Sequence, residues 1–563
     1  MKTWGKVVAA TALASLTLTS IVGCGGATGS NASNPIAQDT GKPVDGGTLT
    51  LSMSSAPAGK YLPQVWDNEY DQWVAMFTYD TLLEYDKDLA YKPLLAEKWV
   101  ISDDKKTITW HLNPNAKWTD GQPVTADDLA WTWNWMASKA YNDVIQGPYQ
   151  GNVSYIEGFD QASKGRAQTM SGIHVIDPHT LSVTLKKPYA AALAILGMTQ
   201  VLPKHIWANV PPDQYKIKMQ DPKMLIGDGP FKITGIKPGE SCTYVRNPDY
   251  YGGKPHIDKI VWRVVNSDVA AGQVKNGALD EVSTVNPQDA DIYKSFSNVT
   301  YFEFPSTYFQ YLGFKLNNPI LKDKNVRHAI AYAINRKGII TGLLKGHGDV
   351  LNAPIYATSW ANPPADQVHA YNFNIDKAKK LLDDAGYKAG ADGFRTDPQG
   401  NPFQLTLAYP LGNKVREKTA PIIAKELQQI GLNVKLLAPK DFSAFAADVQ
   451  HDRDNGMWLM GWGGQIDPDQ TGFWSKDAMY NYSHLDSPKE EQLVADAVSG
   501  QAFNQDYRKK TMWKWSKFMN DELPWLPLYG ERDIFVWNKR LHGVEQYPTV
   551  GIFQDVQNWW LSK

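Results

Sequence analysis

Two periodicities alternate along the chain. Strict alternation of apolar and polar positions marks strands. Gly47-Thr48-Leu49-Thr50-Leu51-Ser52-Met53 is the first such run, and residues 107–112 place Ile108, Trp110 and Leu112 on one face. Residues 180–185 do the same with Leu181, Val183 and Leu185. Residues 260–265 predict a further strand, and Cys242 is expected as a small buried residue in another. Helical spacing takes over between these runs. Thr125-Ala126-Asp127-Asp128 predicts an N-cap with acids in the first turn, followed by a helix to Ala140. Residues 326–337 predict one helix with Val326, Ile330, Ala333 and Ile334 inward. Asn374 is expected to cap a helix that Gly386 ends, with Ala378, Leu381, Leu382 and Ala385 inward. Residues 414–430 repeat that design up to Gly431, and a strand follows at 433–437.

Strands interleaved with helices throughout predict an α/β fold. The length of 563 residues exceeds one core, so two or three lobes are expected. No repeat of 20–50 residues is visible.

Charge narrows the partners. Lys and Arg number 57 against 59 Asp and Glu, so the formal net charge is −2. No basic excess exists to neutralise a phosphate backbone, and nucleic acid is not an expected partner. The 21 Trp and 27 Tyr supply amphipathic area for a core and for a ligand pocket.

The N-terminus reads as an address. Lys2 and Lys6 precede an apolar stretch at residues 7–22, the length of a signal-peptide core. Ile21-Val22-Gly23-Cys24 resembles a bacterial lipobox, in which the Cys24 thiol takes a diacylglycerol. Residues 1–23 are then a lipoprotein signal peptide, and residues 24–45, rich in Gly, Ser, Asn and Thr, form a flexible tether. The mature chain is expected outside the cytoplasmic membrane, anchored by lipid.

Catalytic signatures are missing. There is no His-Glu-x-x-His, Gly-x-Ser-x-Gly, P-loop or dinucleotide fingerprint, and the eleven His form no i, i+4 pair. Asp467-Pro468-Asp469-Gln470-Thr471-Gly472 begins like a calcium loop, but Ala478 stands where a bidentate Glu is needed. No metal and no cofactor are expected. A hydrolase with carboxylates paired from distant positions is the alternative from another class.

Several segments, in order, resemble the extracytoplasmic solute-binding proteins of family 5, the peptide/nickel class that feeds ABC importers. They are Tyr79-Asp80-Thr81-Leu82-Leu83-Glu84-Tyr85 with Pro93-Leu94-Leu95-Ala96-Glu97-Lys98-Trp99, and Lys117-Trp118-Thr119-Asp120-Gly121-Gln122-Pro123-Val124 leading into the Thr125 cap. Gly227-Asp228-Gly229-Pro230-Phe231, Arg246-Asn247-Pro248-Asp249-Tyr250-Tyr251 and Asn325-Val326-Arg327-His328-Ala329-Ile330 continue the series, and Gly461-Trp462 with Asp467-Pro468 closes it. The Trp118–Gly121 and Gly227–Pro230 segments read independently as turns that shape the fold.

The resemblance implies a type II (cluster C) periplasmic-binding-protein-like fold. Two α/β lobes are joined by a hinge, with an extra domain inserted in the N-terminal lobe. Lobe I is placed at residues 45–65, 196–305 and 521–563, the extra domain at 66–195, and lobe II at 306–520. The implied function is non-enzymatic. A monomer captures oligopeptide between the lobes and delivers it to the permease subunits of an ABC transporter. Family members that take peptides place an Asp soon after the Gly-Trp of the second lobe to receive the α-ammonium. Here Gln465 aligns with that Asp, so either Asp467 takes the role or the ligand has no free amine there. Trp462 and Gly463 complete this candidate stretch, and Tyr356 and Trp360 lie on a loop that could reach the cleft. An oligosaccharide is the second candidate cargo, with Trp66, Trp360, Trp458, Trp462 and Trp474 as a stacking platform.

Overall fold

The alternating runs become strands within a residue of where the pattern placed them. The computed structural model describes residues 41–562 except 67, 284, 454, 455 and 477. The signal peptide, Cys24 and tether residues 24–40 lie outside the described residues. Thr48–Met53 pairs in parallel with Lys259–Val264, and Ser241–Arg246 and Phe231–Lys237 complete a four-stranded sheet. Cys242 is buried in this sheet, and burial pushes its thiol up to about 12. A second sheet orders Ala96–Ile101, Thr107–Leu112, Thr180–Thr184 and Ile173–Asp177 as antiparallel neighbours. It shares one continuous core with the first sheet.

The third sheet carries the hinge. Its order is Glu281–Val282, Trp525–Asn538, Val299–Phe314, Met457–Gly463, Leu405–Ala408 and Val434–Leu436. The two longest strands, Val299–Phe314 and Trp525–Asn538, run antiparallel, and their register breaks between Pro305 and Phe309. On one side of the break, Phe304, Phe535 and Trp537 join the first core, while Val299, Ile534 and Val536 pack beneath the helix Ser267–Lys275. On the other side, Leu312, Phe314, Leu526 and Leu528 belong to a separate core. Two lobes are therefore joined through strands whose pairing is interrupted between their cores. Leu523 and Tyr529 also pack in the second core, so the return crossing runs through the strand that follows residue 525. This is the α/β, two-lobed architecture expected.

Turns obey local chemistry. Gly121 has φ +94°, and Asp120 accepts the Gln122 N–H at 3.1 Å. At Gly227 the reason for glycine is close approach. A Cβ there would lie 1.9 Å from the Thr78 carbonyl oxygen, and Asp228 accepts the Asp80 N–H at 3.0 Å. Asn374 accepts the Lys377 N–H at 2.8 Å and caps Ile375–Asp384, after which Gly386 turns the chain at φ +87°. Lys414–Gln429 ends before Gly431 at φ +84°.

Two expected helices are interrupted. The helix expected over residues 326–337 is two, Lys324–Ala333 and Arg336–Leu343. Ile334 is extended, and the Asn335 side chain accepts the Gly338 N–H and caps the second helix. Arg336 is only 3% exposed and donates to the carbonyls of Leu351 and Pro527 at 2.5 and 3.0 Å. That anchor sets the second helix's direction independently of the first. The helix expected to reach Ala140 ends at Ala137, because Ser138 turns extended and its hydroxyl accepts the Tyr141 N–H.

Candidate functional site

A cavity of about 1820 Å³ lies between the lobes. Typical small-molecule pockets hold roughly 300–1,000 Å³, so this one suits an extended or sizeable ligand. Its floor is the register break of the crossing strands, where Ser306, Thr307 and Tyr308 face it beside Glu531, Arg532 and Asp533. The first lobe contributes Trp66, Glu69, Tyr70 and Trp73. Glu69 opens the helix Glu69–Ala75, which Asn68 caps by accepting the Asp71 N–H at 3.0 Å. The second lobe contributes Asn413 and Lys414 from a helix start and Gln465, Ile466, Asp467 and Asp469 from the chain leaving Met457–Gly463.

That chain is led into the cavity by backbone pairing. Tyr308 sits opposite Gly463, and the Gly464 N–H donates to the Thr307 carbonyl at 3.0 Å. A Cβ on Gly463 would lie 2.9 Å from the Tyr308 ring, and one on Gly464 equally close to the Tyr356 ring. Two glycines are what let the segment pass between these tyrosines.

Of the residues singled out from sequence, Trp66, Gln465 and Asp467 line the cavity. Gln465 is exposed there. Asp467 is nearly buried, and both its oxygens accept from Arg508, at 2.6 and 2.7 Å. Burial raises the Asp467 carboxyl, against the pull of Arg508. The other four stand behind the wall. The Tyr356 hydroxyl donates to the Ile466 carbonyl at 3.2 Å and supports the segment from beneath. Trp360 underlies the Arg508 guanidinium at 5.4 Å. Trp462 packs against Phe473, Tyr480 and Trp525, and Gly463 gives the Tyr308 ring its room. Trp458 and Trp474 are core residues. Of the five tryptophans of the expected stacking platform, Trp66 alone reaches the cavity.

The sequence reading missed the floor. Glu531-Arg532-Asp533 interrupts an otherwise apolar strand, and that polar triplet was the available signal. The cationic side chains among the described lining residues are Lys414 and Arg532, so carboxylates dominate the wall. Lys414 is exposed beside Glu417 at 3.3 Å, and Arg532 donates to Asp349 at 2.8 Å.

Contacts also join the two sides away from the hinge. The Tyr189 hydroxyl donates to the Asp469 carboxylate. The Ala190 N–H donates to the Val498 carbonyl at 2.8 Å, and the Thr358 and Thr549 hydroxyls meet at 2.5 Å. The two sides are thus bridged by contacts outside the crossing strands. No group of His, Cys, Asp and Glu suited to a metal ion occurs among the described residues.

Comparison with known proteins places this geometry. The model of the bacterial extracellular solute-binding proteins, family 5 Middle, matches residues 90–483. The oligopeptide-binding protein AppA of Bacillus subtilis is 28% identical over 547 residues, covering 96% of each chain. The dipeptide-binding protein of Escherichia coli K12 is 27% identical over 456 residues, covering 77% of this chain and 79% of that one. The solved structure of Bacillus subtilis AppA in complex with a nonapeptide superposes with a TM-score of 0.74 at 25% identity, covering 93% of this chain and all of that one.

Proposed function

Because the chain belongs to the bacterial extracellular solute-binding proteins of family 5, we propose that it captures oligopeptides in the interlobe cavity and hands them to the permease of an ABC importer. The observation that carries this reading is the cavity itself, about 1820 Å³, floored by crossing strands and bordered by a Tyr189–Asp469 contact between its two sides. An extended peptide can satisfy its main-chain groups against such walls whatever its side chains are. The nonapeptide held by the similar Bacillus subtilis protein fits the same reading. Closure is then driven by ligand contacts made only when both lobes reach the peptide. No bond in the cargo is made or broken.

Ile21-Val22-Gly23-Cys24 supports anchoring through a lipid on Cys24, followed by the tether. No helix among the described residues is long and apolar enough to cross a membrane. Incorporation of labelled fatty acid into the wild type and its loss in Cys24→Ser tests the anchor.

Native mass spectrometry of protein purified from its own cells tests the cargo. Bound masses spaced by amino-acid residues are expected. Masses spaced by hexose would overturn the peptide reading in favour of an oligosaccharide, and turnover of a bound peptide would overturn the absence of catalysis.

A further inference from the structure

One aromatic ring and three carboxylates meet at the cavity floor. Tyr308 is 52% exposed although it lies in the floor between the two lobes. It stands at the register break, with the backbone of Gly463 opposite it. An aromatic ring left half exposed in a ligand cavity offers apolar and π surface to a ligand. Glu531 and Asp533 come from the neighbouring crossing strand, and Glu69 comes from the first lobe's helix start. Burial pushes the Asp533 carboxyl up to about 6, with Glu531 and Glu69 adding to the rise against a hydrogen bond from Ser306. Burial raises the Tyr308 hydroxyl, with Glu69 and Glu531 adding to the rise and the Arg416 guanidinium opposing it. The register break sets Tyr308 beside Glu531, and all four groups line the cavity.

Two guanidiniums stand near this corner of the cavity, and Arg532 alone of the two is answered by a carboxylate hydrogen bond. Arg416 donates to Gln310 at 3.0 Å, and Gln310 in turn donates to Glu531 at 2.7 Å. Arg532 donates to Asp349. Asp467, the acceptor expected from the sequence, is bound through both oxygens by Arg508. The corner therefore sets three carboxylates against the single charge of Arg416, beside a half-exposed aromatic ring with direct access to the cavity.

We infer that Tyr308, Glu69, Glu531 and Asp533 form a subsite for a cationic group of the ligand, an ammonium or a guanidinium. This rests on the peptide-capture reading and narrows it to peptides that present a positive charge to the floor. A cation there relieves the repulsion among the carboxylates and stacks on the Tyr308 face. It also touches the first lobe through Glu69 and the crossing strands through the other three residues, so its binding favours closure.

The test uses three probes that differ at one position and carry no terminal charges: acetyl-Ala-Ala-Lys-Ala-Ala-amide, its norleucine counterpart and its glutamate counterpart. Calorimetry on ligand-stripped protein is expected to show the lysine probe binding at least tenfold tighter than the norleucine probe, with the glutamate probe weakest. Glu69→Gln, on an exposed side chain, and Asp533→Asn are each expected to reduce the lysine-over-norleucine ratio to about threefold or less. Circular dichroism melts verify that both variants are folded. Equal affinity for the lysine and norleucine probes in the wild type overturns the subsite alone. A ratio unchanged in both folded variants overturns the assignment of these residues. Failure of every probe to bind overturns the peptide reading and the subsite with it.

Discussion

Arg508 grips the Asp467 carboxylate through both oxygens, at 2.6 and 2.7 Å, with both side chains almost wholly buried. The guanidinium also donates to the Ala497 carbonyl at 3.0 Å and lies over the Trp360 ring. The pair ties the chain that leaves the strand Met457–Gly463 to the long helix Gln505–Glu522. Asp467 touches the cavity, but its charge is answered from within the protein.

Removing one partner of such a pair leaves an uncompensated buried charge, which costs about 3–5 kcal/mol. Arg508→Met is therefore expected to lower stability by that order. Asp467→Asn placed on top of it removes the stranded charge and is expected to restore part of the loss. Urea midpoints of the ligand-free single and double variants check this, and a single variant as stable as the wild type would refute it.

Tyr189 and Asp469 join the two sides of the cavity outside the crossing strands. A hydrogen bond to a charged acceptor contributes roughly 1.5–3 kcal/mol. Tyr189→Phe keeps the ring and deletes the donor, so it shifts the balance toward the open form and is expected to weaken ligand binding roughly tenfold. Small-angle scattering of the unliganded variant should show a larger radius of gyration than the wild type. Unchanged affinity and unchanged scattering would remove the bridge from the closing mechanism.

Glu490 is buried and accepts the Trp515 indole N–H at 2.8 Å. Burial pushes its carboxyl from 4.5 up to about 7, with Trp515 pulling the other way. Below pH 4.5 the acid is neutral in both folded and unfolded chains. Between 4.5 and 7 the unfolded chain loses a proton that the folded chain keeps, so this group lowers stability as pH rises. Above 7 the penalty stays constant. Glu490→Gln keeps an acceptor for Trp515 and never ionises. It is expected to match the wild type near pH 4 and to exceed it by about 3 kcal/mol at pH 8. Denaturation at the two pH values decides the matter, and an equal difference at both would refute it.

Gly227 is packed against backbone. A methyl group there would overlap the Thr78 carbonyl, a group with no freedom to rotate away. Gly227→Ala is expected to lose several kcal/mol or to give no folded protein. Gly151 has open space around its Cβ position and no positive φ, so Gly151→Ala is expected to change stability by less than about 1 kcal/mol. Thermal melts of the two alanine variants compare them directly.

How far the sequence could be read depends on how local the cause was. The helix Ile375–Asp384 was legible because its cap, its apolar stripe and its terminal Gly386 lie within a dozen positions. The break at Ile334 was not. Helical spacing continues through it, and the Arg336 anchor that redirects the chain depends on Leu351 and Pro527. Trp462, prominent in the sequence beside two glycines, faces Phe473 and Trp525 instead of the cavity. Tyr308 drew no notice, because one tyrosine in a long strand is ordinary until a register break exposes it.

The one-dimensional pattern was sufficient for the alternating strands such as Thr48–Met53 and Thr107–Leu112, the helix Ile375–Asp384, the turns at Gly121 and Gly386, the α/β class and the family. Each follows from neighbouring residues or from motif order. Three-dimensional packing alone settled which polar groups answer one another and which face the cavity unanswered. Asp467 finds Arg508 across 41 positions, Gln310 finds Glu531 across 221, and Tyr189 finds Asp469 across 280. Whether a charge is available to a ligand depends on what stands within a few ångströms of it, and the folded chain sets those distances without regard to sequence separation.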